Sequence, residues 1–301
     1  MFKRRLLQLS CIAKGYYLKL RYDLFGFKEI PRLSHNDIDS NTPQIIVSLT
    51  SYGRRVKDVV PYTLISLLRQ TKLPDKIILW LDKENWNDTN LPKKLTKLKE
   101  YGVEIFFCED IRSYKKLVPT LNLFPNDIII TVDDDVIYRK DLIIDLYQCY
   151  LKNPNDIVCN MARFPKIDTN NRFKPYESWF DEVDKATLIM PIGVSGVLYP
   201  PNVLYKDVVN ADLFTKLSPL ADDLWFWIMG VIKGTKYHVI NQRILPGDSF
   251  DAIYQYLHRG ASLTHQNRNE NQNDKQLKAI IDYYNINFSD LNNITFTSPN
   301  N

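Results

Sequence analysis

The chain is poor in sulfur and in imidazole, with four cysteines and four histidines among 301 residues. Cys11, Cys108, Cys149 and Cys159 form no Cys-x-x-Cys pair, which argues against a zinc ribbon or a disulfide framework and fits reduced thiols in a cytosolic protein. With only His35, His238, His258 and His265 to draw on, a histidine-rich metal centre is not expected. Net charge is also scarce. A formal +4 is too little to argue for nucleic acid as a partner, and no stripe of Arg and Lys interleaved with aromatics runs through the sequence. The N-terminal segment lacks a long apolar run. Its longest uncharged stretch, residues 6–13, falls far short of the roughly 20 residues a membrane-spanning helix needs, and no small-residue cleavage site follows.

What is present is the composition of an ordinary folded protein, 45% hydrophobic and 25% charged, long enough to bury a full core. Three regions are expected: a basic segment and linker over 1–40, a single folded domain over 41–265, and a polar tail with one helix over 266–301. Residues 1–28 set Lys3, Arg4, Arg5, Lys14, Lys19 and Arg21 among Phe2, Leu6, Leu9, Ile12, Tyr16, Tyr17 and Leu20, with no acid before Asp23. A helix of that composition suits either an anionic membrane surface or a seat on the domain itself. The expected location is therefore the cytoplasm, with contact to the inner face of the cell membrane left open.

From Gln44 the pattern alternates strand and helix. Strands are expected over 45–49, 77–81, 103–107 and 128–132, and helices over 56–70, 93–101 and from a Ser113 cap to residue 123. Such alternation predicts an α/β fold with a mostly parallel central sheet and helices on both faces. Right-handed crossovers then bring the strand ends to one rim, where open α/β sheets bind ligands. Further helices are expected over 141–151, from Asp222 to about Val231, and over 274–284; short strands near 156–160 and 236–240; and a glycine-bearing turn, with Gly193 and Gly196, leading into a strand.

The stretch that organises the chain is the fourth strand, all β-branched from Ile128 to Val132, followed at once by Asp133, Asp134 and Asp135. Three carboxylates in a row at a strand's carboxyl end repel one another in a dry site and call for a cation, although an acidic turn closing a strand reads the same way. Other strand ends add Thr50, Ser51, Tyr52, Arg54, Arg55, Asp82, Arg112, Lys115 and Lys116, a mixture that suits a nucleotide. Further on, Asp222 and Asp223 open an apolar helix, where acids are also favoured simply by the helix dipole.

This ordering resembles nucleotide-sugar-dependent glycosyltransferases of the GT-A fold, particularly bacterial enzymes of capsule and surface polysaccharide synthesis. The resemblance is carried by Val47-Ser-Leu-Thr-Ser-Tyr-Gly-Arg-Arg55, Leu67-Leu-Arg-Gln-Thr71, Lys76-Ile-Ile-Leu-Trp-Leu81, Val132-Asp-Asp-Asp-Val136 and the Asp222-Asp223 pair. It implies Asp135 and Asp133 as ligands of Mn²⁺ or Mg²⁺, with His265 as a late ligand, and Asp134 between them. It further implies Asp223, or Asp222, as the base of an inverting transfer. Thr50, Tyr52, Arg54, Lys115, Lys116, Asp133 and Asp134 would hold the nucleotide sugar, a UDP-sugar by expectation, and the acceptor would be a glycan or lipid-linked saccharide. The chain lacks the Gln-x-x-Arg-Trp motif and membrane helices of processive synthases, which implies transfer of single sugars. Two other readings stand beside it: a haloacid-dehalogenase-type phosphatase using Asp133, with Gly247-Asp248 as its late acidic loop, and a non-catalytic membrane-associated scaffold.

Overall fold

The computed structural model describes residues 2–33, 42–170, 172–179, 188–240, 250–252, 271–288 and 296. Seven strands build the central sheet: β1 (Ile45–Thr50), β2 (Lys76–Asp82), β3 (Val103–Cys108), β4 (Ile128–Thr131), β6 (Ile157–Cys159), β9 (Val197–Tyr199) and β10 (Tyr237–Val239), in the order β10-β6-β9-β4-β1-β2-β3. All neighbours run parallel except β9, which is antiparallel to both β4 and β6. The mostly parallel sheet expected from the alternation is thus present, with one reversed strand that the alternation did not foretell.

That reversal positions the site. Six strands end on one rim, whereas β9 begins there. Its pairing of Val197 with Thr131 sets the loop before β9 beside the loop after β4. The polyvaline-like character of the strands follows from covering on both faces. Ile45, Val47, Leu49, Ile128 and Ile130 point into one core, and Ile129, Ile157 and Val197 into another. The first core is aliphatic and packs against α4 (Val60–Leu67), α5 (Lys93–Lys99) and α7 (Leu142–Lys152). The second is aromatic, gathering Tyr114, Trp179, Phe214, Trp225, Phe226 and Trp227 around α9 (Asp222–Lys233) and α8 (Ala211–Leu217).

Two expected helices are broken, each at a proline. The helix over 56–70 is instead α3 (Arg55–Asp58) and α4, restarted with Pro61 in its first turn; a ring in place of an N–H cannot continue the ladder of α3. The helix expected from Ser113 is a 3₁₀ turn, Arg112–Lys116, followed by α6 (Val118–Leu123) with Pro119 in its first turn. Ser113 caps nothing, and its buried hydroxyl has no hydrogen-bond partner. Short strands absent from the sequence reading also occur. β5 (Val136–Tyr138) follows the triplet directly and pairs antiparallel with β11 (Phe250–Ala252), and β7 (Ala162–Arg163) pairs with β8 (Met190–Pro191).

Both terminal segments join the body. Helix α10 (Gln272–Tyr284) buries Leu277, Ile280 and Tyr284 in the aromatic core, and the Tyr284 hydroxyl donates to Asp207 Oδ2 at 2.7 Å. Helix α1 (Phe2–Arg21) continues through a π-turn, Tyr22–Gly26, and α2 (Phe27–Glu29), after which Tyr22, Ile30 and Leu33 enter the aliphatic core. No described helix is long and apolar enough to cross a membrane. Cys108, Cys149 and Cys159 are free thiols.

Candidate functional site

The polar centre forms where the loop after β4, the loop before β9, the 3₁₀ turn after β3 and the first turn of α9 meet. Its middle is Lys116, whose side chain is 6% exposed. The Lys116 ammonium lies 2.9 Å from Asp222 Oδ2, 3.2 Å from Asp133 Oδ1 and 3.6 Å from Asp223 Oδ1. One cation therefore holds together the acidic triplet and the acidic pair. Burial alone would strip its proton, but Asp133, Asp222 and Asp223 outweigh that and hold its pKa well above the usual lysine value.

Asp223 is fixed from a second side. The Gly193 N–H donates to its Oδ2 at 3.0 Å. A Cβ at Gly193 would lie 2.7 Å from Asp223 Oδ1 and 2.8 Å from Lys116 Nζ, so only glycine allows this approach. Gly196, with φ +93°, then turns the chain into β9. Burial, opposed by Lys116 and reinforced by Asp222 and Asp133, pushes the Asp223 carboxyl up to about 6. Asp222 and Asp223 profit from the α9 dipole as any acids there would, but their carboxylates face Lys116 and Gly193. The Asp133 and Asp223 side chains are 32% and 30% exposed, so both reach solvent across a lysine that does not.

A second cation, Arg55 at the start of α3, handles the rest of the triplet. Its guanidinium pairs with Asp134 Oδ1 at 2.9 Å and with Asp135 Oδ2. Burial opposes its charge, and Asp134 and Asp135 more than restore it. The Ser51 hydroxyl donates to Asp134 Oδ2, and Thr63 Oγ1 lies 2.8 Å from the carbonyls of both Asp134 and Val136. Burial raises the Asp134 carboxyl above the usual aspartate range in spite of Arg55 and Ser51. Buried Tyr138 ties the two loops together: the Asp133 N–H donates to its hydroxyl at 2.8 Å, and that hydroxyl donates to the Val194 carbonyl at 2.8 Å.

The expected site residues thus divide. Asp133, Asp222, Asp223 and Lys116 converge; Asp134 and Asp135 pair with Arg55 instead. Lys115 is buried and ion-paired with Asp110, so it faces away from the centre. Thr50 donates to the Trp80 carbonyl, Tyr52 lies exposed beside the Arg55 guanidinium, and Arg54 is 86% exposed against Asp58. Arg112 donates to the Pro219 carbonyl. His265 and Asp248 lie outside the described residues. The roles of Arg55, Ser51 and Tyr138 escaped the sequence reading, because nothing local separates Arg55 from Arg54 beyond the helix start that turns one inward.

The donor set suits a hard divalent cation by chemistry. Five aspartates face two cations, an excess of negative charge that an oxygen-liganded Mg²⁺ or Mn²⁺ would relieve. As arranged, Asp135 is engaged by Arg55 and the other acids are gathered on Lys116, and among the described residues no three Asp, Glu, His or Cys side chains are grouped so as to hold a metal ion.

No protein-family model matches the chain, and neither does any curated protein. Among solved structures, it is similar to glucosyl-3-phosphoglycerate synthase from Mycobacterium tuberculosis in complex with Mg²⁺ and UDP, at 16% identity and a TM-score of 0.31, over 40% of this chain and 43% of that one. It is also similar to a CMP:2-keto-3-deoxy-manno-octonic acid synthetase complexed with CTP (12% identity, TM-score 0.43, 75% of this chain and 99% of the other). A third is S. aureus TarS in complex with UDP (12% identity, TM-score 0.45, 80% and 72%). Likenesses this distant assign no activity to the present chain.

Proposed function

We propose that the chain is a glycosyltransferase of the GT-A type that moves one sugar from a nucleotide-diphosphate donor to a hydroxyl of a glycan or lipid-linked acceptor, with inversion. The observation that carries this reading is Lys116, which joins the triplet after a parallel strand to an acidic pair brought from far along the sequence. An acidic turn with a purely local role needs no such partner.

Asp223 is the base. An acceptor hydroxyl must lose its proton as it attacks the sugar carbon, and a solvent-reaching carboxylate with its pKa raised to about 6 is a stronger base than an ordinary aspartate while still ionised at neutral pH. The Gly193 N–H and Lys116 hold the carboxylate in one orientation, so less is lost in aligning it. Lys116, buried behind Asp133 and Asp223, offsets their charge from within and so lowers the repulsion a departing diphosphate beside Asp133 would meet. Asp133, which reaches solvent, is the residue placed to hold a divalent ion, and Asp135 could join it only on release from Arg55; such an ion, when bound, would offset the charge of the diphosphate. Capsule or other surface polysaccharide synthesis is the setting that the resemblance suggests.

The reading is tested by the thermal melt of the purified protein with UDP, GDP or CDP, each with and without Mn²⁺ or Mg²⁺. A nucleotide at 100 times its dissociation constant should add about 2.7 kcal/mol of stability. Stabilisation by one nucleotide, with the sugar of the matching donor then transferred by the parent and not by Asp223→Asn, upholds the proposal. Failure of every nucleotide, with or without metal, overturns it and returns the phosphatase and scaffold readings.

A further inference from the structure

The N-terminal helix carries an unusual surface. Of the large hydrophobic side chains that stand exposed among the described residues, Leu9, Tyr16, Tyr17, Leu20, Leu24 and Phe25 all fall between residues 9 and 25, each about half exposed or more. At roughly 100° per residue, Leu9, Ala13, Tyr16, Tyr17 and Leu20 occupy a single arc about 100° wide. The opposite side of the same helix does the packing. Gly15 and Tyr22 are buried, and Leu18 lies against the aliphatic core. The helix is therefore seated on the domain with its apolar stripe outward.

The helix is held there firmly enough for that outward face to be meaningful. Asp23, just past α1, accepts from the Tyr62 hydroxyl at 2.8 Å and pairs with Lys94, while Gly26 lies so close to Ile65 that a Cβ would come within 3.2 Å of it. The Lys19 ammonium sits 5.4 Å from the centre of the Tyr62 ring. Cations border the stripe on both sides, with Lys14 and Arg21 along one edge and Lys19 along the other. No acid precedes Asp23 in the chain.

We infer that this stripe is a docking surface for an anionic lipid bilayer, with α1 lying in the interface plane and not crossing it. Charge decides between the possible occupants. A second copy of the chain packed stripe to stripe would bring the basic borders together with no acid of α1 to meet them, which is repulsive. Against anionic headgroups the same borders attract, and each cation near the surface adds to binding. Tyr16 and Tyr17 suit that depth, having an apolar body and a polar tip. The inference is independent of the chemistry proposed for the Lys116 centre.

The test is co-sedimentation of the full chain with phosphatidylcholine vesicles, with and without phosphatidylglycerol. Binding to the phosphatidylglycerol vesicles, weaker on the neutral ones and reversed by salt, is the expected result. Replacing Tyr16→Ser and Leu20→Ser together should weaken it about tenfold or more. Replacing Lys14→Gln and Lys19→Gln should weaken it about thirtyfold. The serine variant should keep the parent's melting temperature, because its stripe side chains bear on no core; should it melt early, Leu9→Ser alone serves in its place. The inference is overturned if the parent ignores phosphatidylglycerol vesicles, if the stripe variants bind as well as the parent, or if the parent is a dimer in solution that the serine changes dissociate.

Discussion

The two buried cations of the polar rim do different work with the same class of partner. Arg55 sets one guanidinium nitrogen, Nη2, against two buried aspartates adjacent in sequence, one of which also accepts from Ser51. The two carboxylates are buried, and the pairing holds the turn after β4 in shape, as Thr63 does through the backbone. Lys116 is a point charge shared unequally, at 2.9, 3.2 and 3.6 Å, among carboxylates from two distant parts of the chain, two of which reach solvent. Two of the acids around Lys116 can be reached by a ligand, whereas Asp134 and Asp135 beside Arg55 are buried. The contrast separates a structural clamp from a working centre.

Removing each cation is the strongest way to break that comparison. Lys116→Met leaves three carboxylates facing one another without a counter-charge and should cost about 3–5 kcal/mol of unfolding free energy at pH 8. The deficit should shrink as the pH is lowered and the carboxylates take up protons, as urea melts at several pH values would show. Arg55→Met should cost less, about 2–3 kcal/mol, since Ser51 still serves Asp134. A larger loss for Arg55 than for Lys116 would reverse the ranking of the two centres.

Asp223→Asn sharpens the comparison from the side of chemistry. Transfer should fall by about 10² to 10⁴ while nucleotide affinity changes only a few-fold. Its effect on stability has the opposite sign. An acid whose folded pKa, about 6, lies above its unfolded value takes up protons more readily when folded, so it destabilises the fold increasingly as the pH rises between the two values. The variant should therefore be more stable than the parent at pH 8, by about 1–2 kcal/mol after allowing for the solvent-reaching face of the carboxylate, with the advantage fading toward pH 4. In the parent, kcat/KM should drop about tenfold per pH unit below roughly pH 6.

Gly193→Ala introduces a methyl group into the space held by Asp223 and Lys116 and should cost about 1–3 kcal/mol while displacing the base, readable as a lowered kcat with little change in nucleotide binding. The smallest effect is expected for Arg54→Gln. Its exposed pair with Asp58 is of the one-turn helical kind, so stability should move by no more than about 0.5 kcal/mol, in contrast to its neighbour Arg55.

Much of the fold was legible because its strands obey the simplest rule. Runs such as Ile128-Ile-Ile-Thr can be buried on both faces only in a covered sheet, and helices between them require parallel pairing. The prolines were legible too, yet Pro61 and Pro119 were read through, and each broke a helix where its missing N–H dictates. The carboxylates of the site could be picked out by their setting, but the direction of β9 could not. Val197-Leu-Tyr199 pairs equally well either way, and only its reversal brings Gly193 to Asp223. Likewise Lys115 and Lys116 are indistinguishable as letters, and the 3₁₀ turn sends one to Asp110 and the other to the centre.

The pairing of β5 with β11 has a consequence in time. The turn that follows Asp133 is completed by a strand at residues 250–252, and the ammonium of Lys116 waits for acids at 222 and 223. During synthesis from the N-terminus the ribosome therefore delivers the lysine and the triplet well before their partners, and a nascent chain stopped ahead of Asp222 holds only half of the centre. The rim cannot be complete until residues 250–252 have been made.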